Sequence, residues 1–180
     1  MKVVVTGAGG ALGREIVRQL LAQSRHTVLA VTTQSLAALG FSPAAPDKRL
    51  AVAPLERAVG ESWSGEPLAV VHCAFPRRGG AAQVDAWLEF HRALCAKARR
   101  DDAATFVNVS SQSVYDPARV GPALETDRVL GRDWYSAAKL EGERVAAGLL
   151  PERTLVNARL ASLIGPEYPE RVANRFVAQA

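Results

Sequence analysis

The chain opens on Val3-Val4-Val5-Thr6-Gly7-Ala8-Gly9-Gly10-Ala11-Leu12-Gly13-Arg14, an apolar run that breaks into glycines and resumes as a helical pattern near Ala11. Three consecutive valines suit a strand buried on both faces, as in a parallel sheet covered by helices. Gly7, Gly10 and Gly13 fall in a G-x-x-G-x-x-G spacing. That spacing meets three demands at once: a tight turn, close approach of backbone to a bound group, and close packing of helix on strand. The unpaired N–H groups at the helix start then favour an anion. A glycine turn alone also occurs as a plain tight turn. Set between a strand and an amphipathic helix, this one predicts a site for the pyrophosphate of a dinucleotide.

The rest of the chain repeats the alternation. Leu12, Ile16, Val17, Leu20 and Leu21 mark the apolar face of a helix over 11–24. Further strands are expected at 28–31, 50–53, 68–74, 104–110 and 154–160, with helices at 55–59, 81–100 and 134–150. The fourth strand, Leu68-Ala69-Val70-Val71-His72-Cys73-Ala74, is a continuous apolar run and should be central. Residues 116–133 are too rich in Pro, Gly and charge for a simple connection and suggest an active-site loop. Residues 172–180 look helical. The fold class expected is α/β, a Rossmann-type doubly wound parallel sheet in three layers (α/β/α), with 1–180 forming one dinucleotide-binding domain.

Composition narrows the partners. With 48% apolar and 22% charged residues, the chain has the balance of a soluble globular protein. No apolar run is long enough to span a membrane, and Met1-Lys2 leads directly into the first strand, so a cytoplasmic location is the expectation. The net charge of +4 includes Arg77-Arg78 and Arg99-Arg100 but no basic stripe interleaved with aromatics, so nucleic acid is not an expected partner. Cys73 and Cys95 lie in no C-x-x-C and no histidine cluster accompanies them, which predicts two buried, reduced thiols and no metal site.

Two more groupings carry chemistry. In Tyr135-Ser136-Ala137-Ala138-Lys139, the phenol and the ammonium lie one helical turn apart on the same face, where the cation can favour phenolate. Ser110-Ser111 closes the fifth strand, at the carboxyl end where open α/β sheets place their ligands, although a serine there can simply cap a turn. Each alone is common. All three in this order on these elements are rare together.

The set resembles the extended short-chain dehydrogenases/reductases, the NAD(P)-dependent epimerase/dehydratase family. The matching segments are Thr6 to Gly13, Val70-Val71-His72-Cys73-Ala74, Val109-Ser110-Ser111-Gln112-Ser113-Val114-Tyr115, Tyr135 to Lys139, and Arg159 with Gly165-Pro166. The resemblance implies an oxidoreductase or epimerase working by hydride transfer on a hydroxyl- or carbonyl-bearing small molecule, such as a nucleotide sugar. It implies Ser111 as the catalytic serine, Tyr135 as the acid/base and Lys139 as the residue holding the nicotinamide ribose. The cofactor-binding residues it implies are Gly7, Gly10, Ala11, Leu12, Gly13, Thr33, Leu55, Ala74, Phe75, Tyr135 and Lys139.

Departures from the family pattern refine this. Ala53-Pro54-Leu55 replaces the usual acid after strand three, which leaves Leu55 and backbone for the adenine. Gln112 and Ser113 stand where the family's dehydratases have an Asp-Glu pair, so dehydration is disfavoured. Thr32-Thr33-Gln34-Ser35 at the end of strand two offers neither an acid for a free ribose hydroxyl nor an arginine for a phosphate, and the expectation leans to NADP. The chain hardly contains the carboxyl-terminal region that closes the family's substrate pocket, and is expected to be an incomplete member. The resemblance also implies a homodimer, since helices 81–100 and 134–150 correspond to those that pair into a four-helix bundle in dimeric relatives and their Trp87, Leu94 and Val145 would otherwise be exposed.

Other residues take plainer readings. His72 is expected to be structural, His91 an interface or surface residue, and Trp63 and Trp87 packing residues. Arg77 and Arg78 fit either an anionic substrate or a solvated loop. The reading from another class is a catalytically silent cofactor-binding regulatory module, disfavoured because it would have no chemical need for Ser111, Tyr135 and Lys139 together.

Overall fold

The computed structural model describes residues 1–35, 37–41, 47–60, 63, 68–76 and 80–163. In chain order the elements are β1 (Lys2–Thr6), α1 (Ala11–Gln23), β2 (Thr27–Val31), β3 (Leu50–Ala53), α2 (Leu55–Gly60), β4 (Leu68–His72), α3 (Val84–Arg100), β5 (Thr105–Ser111), α4 (Trp134–Leu149) and β6 (Leu155–Leu160). The six strands are parallel in the order β3-β2-β1-β4-β5-β6. The order runs outward from β1 in one direction and then from β4 in the other, so a crevice opens between the carboxyl ends of β1 and β4.

Strand alternation sorts the core into two layers. Val3, Val5, Val28 and Ala30 pack with Val17 of α1 on one face. Val4, Val31, Val70 and Phe106 face the other way, against Ala58 of α2, Leu94, Cys95 and Ala98 of α3, and Ala146 of α4. Among the described residues one helix covers one face and three the other, so the valine run of β1 is covered on both sides. This is the doubly wound three-layer sheet that the sequence predicts.

Some boundaries move. β4 stops at His72, two residues short of the expected end; the Cys73 amide still bonds the Thr6 carbonyl at 3.1 Å before the chain leaves the sheet. Residues 80–83 form a 3₁₀ turn rather than the first turn of α3. β5 is shifted by one residue and includes Ser111. The expected helix at 172–180, the pair Gly165-Pro166, and Arg77 and Arg78 lie outside the described residues.

Three expectations about burial change. Trp87, Leu94 and Val145 are 7%, 0% and 7% exposed within a single chain, so the exposed apolar face argued for a dimer is not there. α3 and α4 pack on each other, with Trp87 against Gly142 of α4 and Leu94 in the core cluster they share with the sheet. His91 is fully buried, not at the surface. Cys95 is buried as expected, but Cys73 is only half-buried. Burial pushes both thiols up to about 12, which keeps them protonated and poor nucleophiles. Among the described residues no helix is long and apolar enough to cross a membrane.

Candidate active site

The glycine turn sits at the mouth of the crevice. Gly7 has φ +68°, and a Cβ there would lie 2.6 Å from the Ala74 nitrogen, so both the backbone angle and the space exclude a side chain. A Cβ on Gly13 would collide with the Gly7 carbonyl, which is how close α1 comes to the end of β1. The Gly10 amide closes the turn on the Gly7 carbonyl at 2.9 Å. α1 then starts at Gly10 with no side-chain cap and no acid in its first turn. Its amino end therefore keeps its partial positive charge for an outside anion, with the Thr32 and Gln34 side chains lying against Gly9 beside it. Ala11 and Leu12 supply the first amides of that helix. The residues present fit a dinucleotide pyrophosphate.

Beyond β2, Thr33 is exposed. Thr32 is buried and its Oγ1 accepts the Gln34 amide at 3.1 Å. Leu55, expected against adenine, opens α2 and packs partly on the core beside Leu29.

The second wall of the crevice is Cys73-Ala74-Phe75 after β4. The Trp87 indole donates to the Ala74 carbonyl at 2.7 Å and meets Phe75 edge-on, with ring centroids 4.9 Å apart. Tyr135 meets the same Phe75 ring edge-on at 5.2 Å, and the Lys139 Nζ lies 4.3 Å from its centroid. The Lys139 ammonium also donates to the Val109 carbonyl of β5 at 2.7 Å. Ala74, Phe75, Tyr135 and Lys139 are thus brought together. Ser111 ends β5, where its Oγ accepts the Ser113 amide at 3.2 Å and lies 3.1 Å from the Ser113 Oγ. Its hydroxyl caps a 3₁₀ turn, the plainer of its two readings.

α4 is aimed by its own start. Ser136, inside the Tyr135 to Lys139 motif, donates its amide to the Asp133 carboxylate at 2.7 Å, and the Asp133 amide donates back to the Ser136 hydroxyl at 3.2 Å. The Ser136 amide first, and with it the Ser136 hydroxyl and the Tyr135 amide, hold the Asp133 carboxyl below the usual carboxylate range against the opposing effect of burial. The capping box fixes the first turn of the helix that carries Tyr135.

Behind the site, sequence reasoning missed two assemblies. Ser110 donates to Glu143 at 2.5 Å, and Arg159 pairs with both oxygens of the same carboxylate, the shortest contact being 2.7 Å. Arg159 also lies over the Tyr115 ring at 4.8 Å, beside a hollow of about 470 Å³ lined by Tyr115, Glu125, Asn157, Ala158 and Arg159. None of the expected site residues lines that hollow. The second assembly is the stacked pair His72 and His91, with centroids 4.8 Å apart. His72 Nδ1 lies 2.6 Å from the Thr6 hydroxyl, and His91 Nε2 donates to the Gly142 carbonyl at 2.9 Å. Burial is the largest influence on each and lowers both, His91 to about 4, so both rings are neutral at physiological pH. His72 is buried and hydrogen-bonded to Thr6, the environment expected of a structural residue. A usable signal for His91 was its phase: it shares a helix face with Trp87, Leu94 and Cys95.

Solved structures share this architecture. UDP-glucuronic acid 4-epimerase from Bacillus cereus, in complex with NAD, superposes with a TM-score of 0.78 at 19% identity over 99% of this chain and 62% of that one. DesIV, a dTDP-glucose 4,6-dehydratase from Streptomyces venezuelae with NAD and TYD bound, gives 0.80 at 24% identity over 99% and 62%. UDP-N-acetylglucosamine 4-epimerase from Bacillus cereus gives 0.76 at 22% over 98% and 66%. At these identities the likeness concerns the fold. The chain spans 62% of the length of the first two, and an epimerase and a dehydratase resemble it about equally, so the expectation against dehydration finds no support there. No curated protein sequence matches the chain closely enough to count as a relative. The sequence pattern of the NAD dependent epimerase/dehydratase family, however, matches residues 3–180, and the chain belongs to that family.

Proposed function

We propose that this protein is a nicotinamide-dependent epimerase or reductase that interconverts a hydroxyl and a carbonyl on a small molecule, with a nucleotide sugar as the substrate class. The observation that carries this reading is the meeting of Tyr135 and Lys139 on Phe75, directly after the strand whose end adjoins the glycine turn. Gly7, Gly10, Gly13 and the amino end of α1 would hold the pyrophosphate, and Ala74, Phe75 and Lys139 would border the nicotinamide ribose. When bound, the nicotinamide accepts or returns the hydride.

The chain supplies the proton chemistry. Tyr135, set in the first turn of α4 against Phe75, would take the substrate hydroxyl proton and return it, as a positioned acid/base does. Ser111 would turn its hydroxyl from Ser113 to the substrate oxygen and hold it in line with Tyr135. Gln112 and Ser113 bring no carboxylate for removing water, and on that ground hydride transfer without dehydration is proposed. With no carboxylate among Thr32, Thr33 and Gln34 to repel a 2′-phosphate, NADP is proposed alongside NAD. Calorimetric titration against both cofactors decides between them.

The test is nicotinamide absorbance during single turnover with a panel of nucleotide sugars. Tyr135→Phe should keep cofactor affinity and lose about 10²-fold or more in the hydride step, the scale of a positioned acid/base. Near-normal transfer in that variant would overturn the assignment of Tyr135, and cofactor binding without any turnover would favour a silent binding module. A homodimer rests on the family resemblance alone; a monomer mass by light scattering at micromolar protein would refute it.

A further inference from the structure

The Lys139 side chain raises a question that its place in the motif does not answer. The residue is 6% exposed, and an ammonium taken out of water is costly unless other groups replace its hydration. The Val109 carbonyl provides one hydrogen bond. Two aromatic faces lie close by: Phe75, whose centroid is 4.3 Å from Nζ, and Trp87 at 5.7 Å. Both fall within the range of about 6 Å over which a ring quadrupole attracts a cation.

We propose that Phe75 and Trp87 are positioning residues, an aromatic seat that fixes the Lys139 ammonium where the cofactor ribose and Tyr135 meet it. The proposal rests on the dinucleotide reading above. The seat is itself held from three elements. Trp87 of α3 is anchored by its bond to the Ala74 carbonyl, and it fits against α4 only because position 142 is glycine: a Cβ there would lie 2.7 Å from the indole Cη2. Phe75 is set edge-on against both Trp87 and Tyr135. One ring thus touches the acid/base and the cation together, so a shift of the loop after β4 would disturb both.

The test replaces Phe75 in the full chain by mono-, di- and trifluorinated phenylalanine, which keep shape and hydrophobicity while draining the ring face of negative charge. NAD affinity should fall stepwise with fluorination, by about 5-fold for the trifluorinated ring. The same series in a Lys139→Met background should be flat. A merely structural role for Phe75 predicts no trend in either. If the parent binds NAD and the series is flat with Lys139 present, the proposal is overturned.

A cofactor-free readout separates this from a failure of the dinucleotide reading. In selectively labelled protein, the ring current of Phe75 should move the Lys139 ε-methylene resonance upfield, and Phe75→Leu should return it. That result supports the seat even if the parent binds no NAD, in which case the cofactor reading alone fails. An unshifted Lys139 resonance in the parent overturns the seat whatever the protein binds.

Discussion

His72 and His91 make stability depend on pH through two rings that never meet solvent. Both have folded pKa values below the ordinary 6.5, chiefly because burial disfavours the imidazolium, with the Lys139 charge adding to it; the Gly142 carbonyl opposes the shift at His91. Between 6.5 and the folded value, the unfolded chain binds a proton that the folded chain refuses. Their contribution is therefore complete above about pH 6.5 and is lost as pH falls, for His91 down to about 4. Each ring contributes a slope of about 1.4 kcal/mol per pH unit in its window. Urea unfolding across that window should show the slope, and His91→Gln, which can still donate to the Gly142 carbonyl, should lower it by about one proton. An unchanged slope in the variant would remove His91 from the account. The sequence placed His91 on the apolar side of its helix, and hydrophobic phase proved a better guide to its burial than its polar chemistry.

At the scale of elements, the two helix ends on the α3 and α4 side carry predictions of different kinds. Asp133→Ala removes the cap of α4 and should cost about 1 kcal/mol of stability, with a further loss of activity because Tyr135 stands in the first turn. Thermal melting and turnover measured together would show it, and an activity loss without any stability change would point away from capping. At the carboxyl end of α3, Lys97 is buried with its ammonium 2.8 Å from Asp101 and 4.4 Å from the Trp63 ring centre, while Asp101 also accepts the Trp63 amide. Burial pushes the Asp101 carboxyl up, but these bonds together bring it below its usual value. Lys97→Met leaves that carboxylate half-satisfied and should cost about 2 kcal/mol, part of which Asp101→Asn in the same chain should restore. No recovery in the double variant would mean that packing of the Lys97 stem dominates. The order of elements was legible because the sheet is covered on both faces: unbroken apolar runs mark β1 and β4, and Gly7 and Pro54 mark the ends of β1 and β3. That Tyr135 and Lys139 share one helix face was legible because a single turn separates them, and that Ser111 closes a strand was legible from the apolar run before it. The bonds from Trp87 to Ala74, from Arg159 to Glu143 and from Trp63 to Asp101 join residues 13, 16 and 38 positions apart, which no local period connects.

For the whole molecule, the glycine turn ties ligand binding to global stability. A ligand that binds only the folded state at 100 times its dissociation constant adds about 2.7 kcal/mol. NAD at such excess should raise the melting temperature by several degrees. Gly7→Ala, with its Cβ forced against Ala74 at an unfavourable φ, should lower the parent melting temperature and abolish the NAD-dependent rise. A rise of normal size in that variant would place the cofactor elsewhere. A last consequence concerns β6, the outermost strand on its side among the described residues. β6 carries a weak apolar alternation, Leu-Val-Asn-Ala-Arg-Leu, and lies partly open along its length. Its side chains alone discriminate poorly between neighbouring registers. Arg159 pairs with Ser110 across the ladder while holding Glu143, which is 6% exposed, from α4. A slip by one residue would put Ala158 or Leu160 in that place and strand a carboxylate in the interior, at a cost of several kcal/mol. The ion pair therefore proofreads assembly: a misaligned β6 is rejected by charge, and the wall beside the candidate site closes in one alignment only.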